Sequence, residues 1–295
     1  MRFLTKKVEE QTASAVVAYI FEDDTSKSEL FKFFDKKSNG ELSKQIYDYK
    51  VITGKFQETF KLSIDKNLKV LVVGLGKKSA LTRQKFSQAT SLAARTIKTM
   101  TTNGIAGFEL IENNENCACI CACAQAKNSF DKKESAIITL TSARIGLYEF
   151  NKYTHDKTQK IETIELITPE TTKEIEEGAE IGAYSSFAMK FAKDLVNESA
   201  QIVTPAYVAD LAAQIAKEHK LEAKILNKNQ IKELGMNAFL AVGQGSVNEP
   251  AFIHLTYKSK NPKKKVALIG KGITFDAGGM NIKPATSMLT MKSDM

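Results

Sequence analysis

The residue types with the most chemical capacity gather near the end of the chain. The segment GKGITFDAGGMNIKPATSMLTMKSDM begins at Gly270 and holds Lys271, Asp276, Lys283 and Asp294, interleaved with Gly278 and Gly279. Carboxylate oxygens suit hard or borderline divalent ions. A lysine joins such a donor set only as the neutral amine, which requires a strongly depressed pKa. Glycines let the backbone come close to a ligand or metal. Two carboxylates and two lysines on glycine-rich segments thus have the makings of one pocket. Spacing alone leaves a plainer reading open, in which these are solvated charges in a loop.

Something must hold that segment in place. Residues 265–269 (KVALI) read as a buried strand ending at Gly270, and in open α/β sheets ligand sites form beyond the carboxyl ends of strands. Upstream, residues 15–21 (AVVAYIF) and 69–73 (KVLVV) read as strands, and 51–62 as an extended region broken by Gly54. Residues 118–124 and 136–140 are further strand candidates. Residues 82–100 carry Phe86, Ala89, Leu92, Ala93 and Ile97 at near-helical spacing. Residues 161–167 look extended, and 170–198 read as a long helix offering Ile175, Ala179, Ile181, Phe187, Phe191 and Leu195 for burial. Thr204 as N-cap and Pro205 at the first helical position start another helix. A short one over 228–234 closes at Gly235, and 251–257 reads as a strand. Strands alternating with helices indicate an α/β fold. The polar stretch YTHDKTQK (153–160) sets the expected boundary between an amino-terminal domain, 1–160, and a second domain, 161–295.

Composition narrows the function classes. At 295 residues, 43% hydrophobic and 26% charged, the chain is globular rather than disordered. No window approaches 18 uninterrupted apolar residues, so no membrane helix is expected. The start, MRFLTKKVEEQTAS, lacks an apolar h-region and does not read as a signal peptide. A cytoplasmic location is therefore expected. The formal charge of +8 is spread over many lysines with only four arginines, which weighs against a dedicated nucleic-acid face.

Other signals have plainer explanations. Cys117, Cys119, Cys121 and Cys123 alternate in CACICAC. On a strand all four share one face, poorly placed to wrap a tetrahedral ion, so they are expected to be buried small side chains. VLVVGLGKKSA (70–80) begins like a dinucleotide fingerprint, but Ser79 stands where the third glycine belongs. His155, His219 and His254 are scattered singly, without the spacing of a histidine metal site. The run KSKNPKKK (258–265) reads as a solvated loop between strands.

The segment from Gly270 also resembles the opening of the catalytic core of the leucyl (cytosol) aminopeptidases, dinuclear zinc exopeptidases. FAKDLVNESAQIVTPAYVADLA (191–212), IKELGMNAFLAVGQGSVNEPAFIHLTY (231–257) and IGLYEFNKY (145–153) resemble further ordered motifs of that family. The likeness is strong from about residue 143 onward and vaguer before it. It implies a three-layer α/β amino-terminal domain followed by an α/β zinc-exopeptidase-like catalytic domain. It implies two divalent ions per subunit, Zn²⁺ or Mn²⁺/Mg²⁺. Lys271 and Asp294 match ligands of the second metal, Asp276 matches the aspartate bridging both, and Lys283 matches the catalytic lysine that polarises the scissile carbonyl. The implied reaction is release of leucine-like amino-terminal residues from peptides with a free amino terminus, by a water that two metals activate. Family members assemble as hexamers.

One departure accompanies the likeness. The family's later NTDAEGR-like segment, which supplies another aspartate, a bridging glutamate and an arginine, does not occur in these 295 residues. The expectation is a catalytic domain truncated within its site, with one metal position keeping Lys271, Asp276 and Asp294 and the other only Asp276. Such a site is expected to hold metal poorly. Two further readings therefore stand beside the aminopeptidase: an inactive truncated product, and a DNA- or nucleotide-binding module on the first half.

Overall fold

Strand β2 (Ala15–Ile20) is buried at every position, and that fixes the architecture around it. A strand apolar on both faces needs helices on both sides, as in parallel α/β sheets. The computed structural model describes residues 1–113, 129–155 and 160–294. The chain divides into two compact units, Met1–Lys190 and Phe191–Met295.

In the first unit β1 (Arg2–Lys7) precedes β2, and β3 (Thr59–Ser63), β4 (Lys69–Gly74), β5 (Ile105–Glu109) and β6 (Thr163–Thr168) complete one sheet of order β1-β6-β5-β2-β4-β3. Only β3 runs antiparallel, along β4. Strand β6 pairs within this sheet although it lies beyond the polar connector at 153–160. The alternation of β2 sorts the core into two layers. Ala15, Val17 and Tyr19 join Phe86, Ala93, Phe108 and Leu140, while Val16, Ala18 and Ile20 join Leu30, Phe31, Phe34 and Leu42. Helices α1 (Glu29–Lys37) and the turn α2 (Glu41–Ser43) supply the second face, and α3 (Arg83–Ile97) and α4 (Lys132–Gly146) the first. This is the three-layer α/β arrangement.

Two buried carboxylates tie the sheet to its loops. Glu165 on β6 accepts from the Thr12 hydroxyl at 2.5 Å and from the Thr12 and Ala13 N–H groups at 2.9 and 3.1 Å. Glu109, at the end of β5, accepts from Tyr19 N–H at 2.9 Å. Burial pushes its carboxyl up to about 7, against the opposing pull of hydrogen bonds from Ser28 and Tyr19.

Two expectations change in this unit. Residues 136–140 are not a strand but the middle of α4. Asp131 caps that helix by accepting from Glu134 N–H, and Ala136, Thr139, Leu140 and Ala143 are buried at helical spacing against α3. The β-branched run Ile137-Ile138-Thr139 imitates a strand, and packing overrides that local preference. In α5 (Lys173–Asn197), Ile175 and Ala179 are buried as expected, whereas Phe187 is 69% exposed. The packed face consists of small residues, Gly178, Ala179, Gly182 and Ser186, because the backbone of α4 runs close alongside. Gly74 of the partial dinucleotide fingerprint ends β4, and a Cβ there would stand 2.1 Å from the Lys55 carbonyl oxygen. Close approach of two backbones accounts for that glycine without a ligand. The CACICAC segment lies outside the described residues.

The second unit contains α6 (Pro205–His219), β7 (Glu222–Leu226), α7 (Lys228–Glu233), α8 (Asn237–Gly243), β8 (Phe252–Thr256) and α9 (Ala285–Met288). Thr204 caps α6 by accepting from Tyr207 N–H, with Pro205 next, and Lys220 ends it in the left-handed region. Asn227 and Gln230 form a reciprocal capping box on α7. β7 and β8 pair antiparallel, and α6 packs on both. Residues 265–269 form no strand. Val266, Leu268 and Ile269 are 81%, 95% and 97% exposed. A strand exists only through a hydrogen-bonded neighbour, and none of the described residues supplies one.

Candidate active site

The loop after residue 272 folds on itself through its glycines. Asp276 Oδ1 accepts from Gly278 N–H at 2.8 Å, which turns the chain back immediately after the carboxylate. Gly278 sits at φ +97°, and a Cβ there would lie 2.5 Å from the Asn281 carbonyl oxygen. Gly278 and Ile282 form an antiparallel bridge, and Lys283 N–H donates to the Ala277 carbonyl at 3.0 Å. Asp276 and Lys283 thereby come to stand on one side of a small ring of backbone.

Within it, Lys283 Nζ reaches Asp276 Oδ2 at 2.8 Å, the Asp276 carbonyl at 3.2 Å and the Met291 thioether at 3.0 Å. Both charged side chains are about a third exposed, 29% and 33%, so water still screens the pair. Asp294 closes the 3₁₀ turn Met291–Asp294, whose first residue is the methionine that meets Lys283. Lys292 Nζ donates to the Asn197 carbonyl at 3.1 Å, holding that turn against the end of α5. Lys271 lies on the wall of a cavity of about 590 Å³, together with Phe239, Phe252 and Ile269. The structure thus brings Asp276 and Lys283 into contact and places Asp294 on the adjoining turn. Lys271 sits on the cavity wall earlier in the same segment. Met291 and Lys292 are contacts that the sequence reading passes over. Their only signal is position, eight and nine residues beyond Lys283.

The donor chemistry fits divalent ions in kind and falls short in number. Asp276 offers a carboxylate on a glycine-held loop, with Oδ2 facing a cation that is an ammonium here. Among the described residues no group of three or more His, Cys, Asp or Glu converges as a metal site.

A mostly parallel α/β sheet with helices on both faces makes up the first unit, and a glycine loop joining aspartate to lysine lies in the second. Comparison with known proteins makes that specific. Residues 16–157 match the amino-terminal domain of the cytosol aminopeptidase family, and residues 190–295 match its catalytic domain. The chain belongs to the cytosol aminopeptidase family.

Among curated proteins it is 33% identical over 296 residues to a probable cytosol aminopeptidase of Sulfurihydrogenibium sp., a match covering 98% of this chain and 56% of that protein. The chain therefore spans about half the length of the curated relatives it matches. Among solved structures it is similar to a mutant of tomato leucine aminopeptidase, with 25% identity and a TM-score of 0.72, covering 90% of this chain and 52% of that one. The bottromycin maturation enzyme BotP in complex with Mn shares the fold at 24% identity and a TM-score of 0.69, covering 96% and 53%. Among the described residues no helix is long and apolar enough to cross a membrane.

Proposed function

We propose that these residues carry part of the active site of a metal-dependent aminopeptidase acting on peptides with a free amino terminus, leucine-like first residues preferred. The observation that carries the proposal is the 2.8 Å contact of Asp276 and Lys283 on a glycine loop inside the region that matches the family's catalytic domain.

In this reading Asp276, Asp294 and Lys271 would be donors to a pair of divalent ions, Zn²⁺ or Mn²⁺/Mg²⁺. Bound there, such ions would act as Lewis acids and would lower the pKa of a water they hold. The residues of this chain do the remaining work. Asp276 holds its carboxylate toward the site through the Gly278 N–H, and the Lys283 ammonium lies against it at 2.8 Å. Once freed from Asp276, the same ammonium is placed to hold the negative charge that grows on the scissile carbonyl oxygen. Lys271 must lose its proton to act as a donor, as any ligating amine must. Assembly as a homo-hexamer in the cytoplasm belongs to the same proposal.

The test is hydrolysis of leucine p-nitroanilide by purified protein stripped with EDTA and resupplied with each ion. Turnover that disappears on chelation and returns with metal is the expected result. Turnover that survives complete chelation, or that is absent with all three ions, overturns it.

A further inference from the structure

The first unit contains a cavity of about 510 Å³ that the aminopeptidase reading leaves without a role. It is lined from the end of α4, from the IGLYEFNKY segment that follows, and from the middle of α5. Its size lies in the ordinary range for small-molecule sites.

Its charge is lopsided. Among the described residues, Lys98, Arg144, Lys160 and Lys190 line it against one carboxylate, Glu149, which Lys98 engages in an ion pair. Arg144 is half-buried, and its guanidinium meets only neutral acceptors. Nη2 donates to the Met1 carbonyl at 2.6 Å, and Nη1 to Ser186 Oγ at 3.2 Å and the Ala183 carbonyl at 3.4 Å. Its Nε is buried with no acceptor among the described residues. Among the described residues no carboxylate reaches Arg144 or Lys160. Burial lowers the pKa of Arg144, as expected for a cation taken from water without a counter-ion.

The remaining walls are apolar. Leu147, Ile161 and Phe187 face the cavity, and the Tyr148 ring lies there with Lys190 Nζ 6.0 Å from its centroid. We infer that this cavity binds a phosphate monoester carried on an apolar or aromatic body, with Arg144 and Lys160 at the phosphate and Phe187 and Tyr148 beside the body. A phosphate monoester brings nearly two negative charges at neutral pH, and its oxygens match a guanidinium. A flat ring suits walls of phenylalanine and tyrosine.

The experiment is isothermal titration of the full chain with adenosine monophosphate, adenosine, inorganic phosphate and succinate, each up to about 5 mM. The nucleotide is expected to bind most tightly and phosphate more weakly, with adenosine and succinate giving no measurable heat. Arg144→Gln is expected to weaken the nucleotide by about tenfold or more, and Lys160→Ala by several-fold. Lys160 is exposed, so its variant decides the matter if Arg144→Gln fails to fold. Three results would overturn the inference: no nucleotide binding by the unaltered chain, affinity unchanged in Lys160→Ala, or succinate binding as tightly as the nucleotide.

Discussion

The Asp276 carboxylate and the Lys283 ammonium stand seven residues apart in sequence and 2.8 Å apart in space, across a ring closed by the Lys283 N–H bond to Ala277. Each charge has the other as a close neighbour, so removing either takes an opposite charge away from its partner. Only a third of each side chain is exposed. The pair thus sets both the geometry and the electrostatics of the loop.

For the proposed hydrolysis, Lys283→Met should lower kcat on leucine p-nitroanilide by about a hundredfold or more while KM changes far less, because the lost charge acts on the transition state. Asp276→Asn should abolish turnover and reduce bound metal measured by atomic absorption. A Lys283→Met protein with unchanged kcat would remove the role given to the ammonium.

Gly278→Ala tests the loop itself. A side chain at φ +97° costs about 1–3 kcal/mol of backbone strain, and its Cβ meets the Asn281 carbonyl at 2.5 Å. That strain should lower the thermal unfolding midpoint by roughly a few degrees. Activity should fall at least about tenfold, since displacing Asp276 and Lys283 by an ångström is enough. Full activity in this variant would show that the turn does not position the pair.

Glu109 makes a prediction about pH. Its carboxyl titrates near 7 when folded and near 4.5 when unfolded. Between those values the unfolded chain has already lost the proton that the native state keeps, so stability falls as pH rises from about 4.5 to 7 and is level above. The shift sets an upper bound of about 3 kcal/mol. Glu109→Gln should flatten this slope, read as the urea midpoint at pH 5 and at pH 8. A variant with the slope of the parent would place the titration elsewhere.

Glu165→Ala should destabilise the protein by about 2–4 kcal/mol in denaturant unfolding, because it leaves two backbone N–H groups and a hydroxyl without their acceptor. Glu165→Gln, which keeps one acceptor oxygen, should cost about half as much. Equal losses for the two would mean that charge, not acceptor count, holds the loop.

Local signals in the sequence were legible wherever a residue decides its own conformation. The Thr204 cap, the Pro205 start and Gly235 at φ +68° stand where their types place them. The apolar runs of β2 and β4 were equally plain, because strands buried on both faces need no alternation. Residues 136–140 were misleading, since β-branched residues on a packed helix carry the composition of a strand. β1 and β7 went unread, because half-polar edge segments such as RFLTKK and EAKIL are defined by their partners rather than by their own residues. In the candidate site, residue types and family likeness pointed to four positions, of which the structure brings Asp276 and Lys283 into contact. The Met291 contact and the Lys292–Asn197 tie were not, since a thioether and a backbone carbonyl announce nothing in a sequence.

The exposed run at 266–269 has a consequence for handling the protein. Four apolar residues, VALI, stand open beside a sheet whose β8 edge carries no further strand among the described residues. A flat apolar segment of this kind is a template for pairing between chains and for aggregation. Lys263, Lys264 and Lys265 stand immediately before it, and their charge opposes such stacking as gatekeepers do. Raising the salt concentration screens these lysines, so the protein should keep best in dilute, low-salt solution.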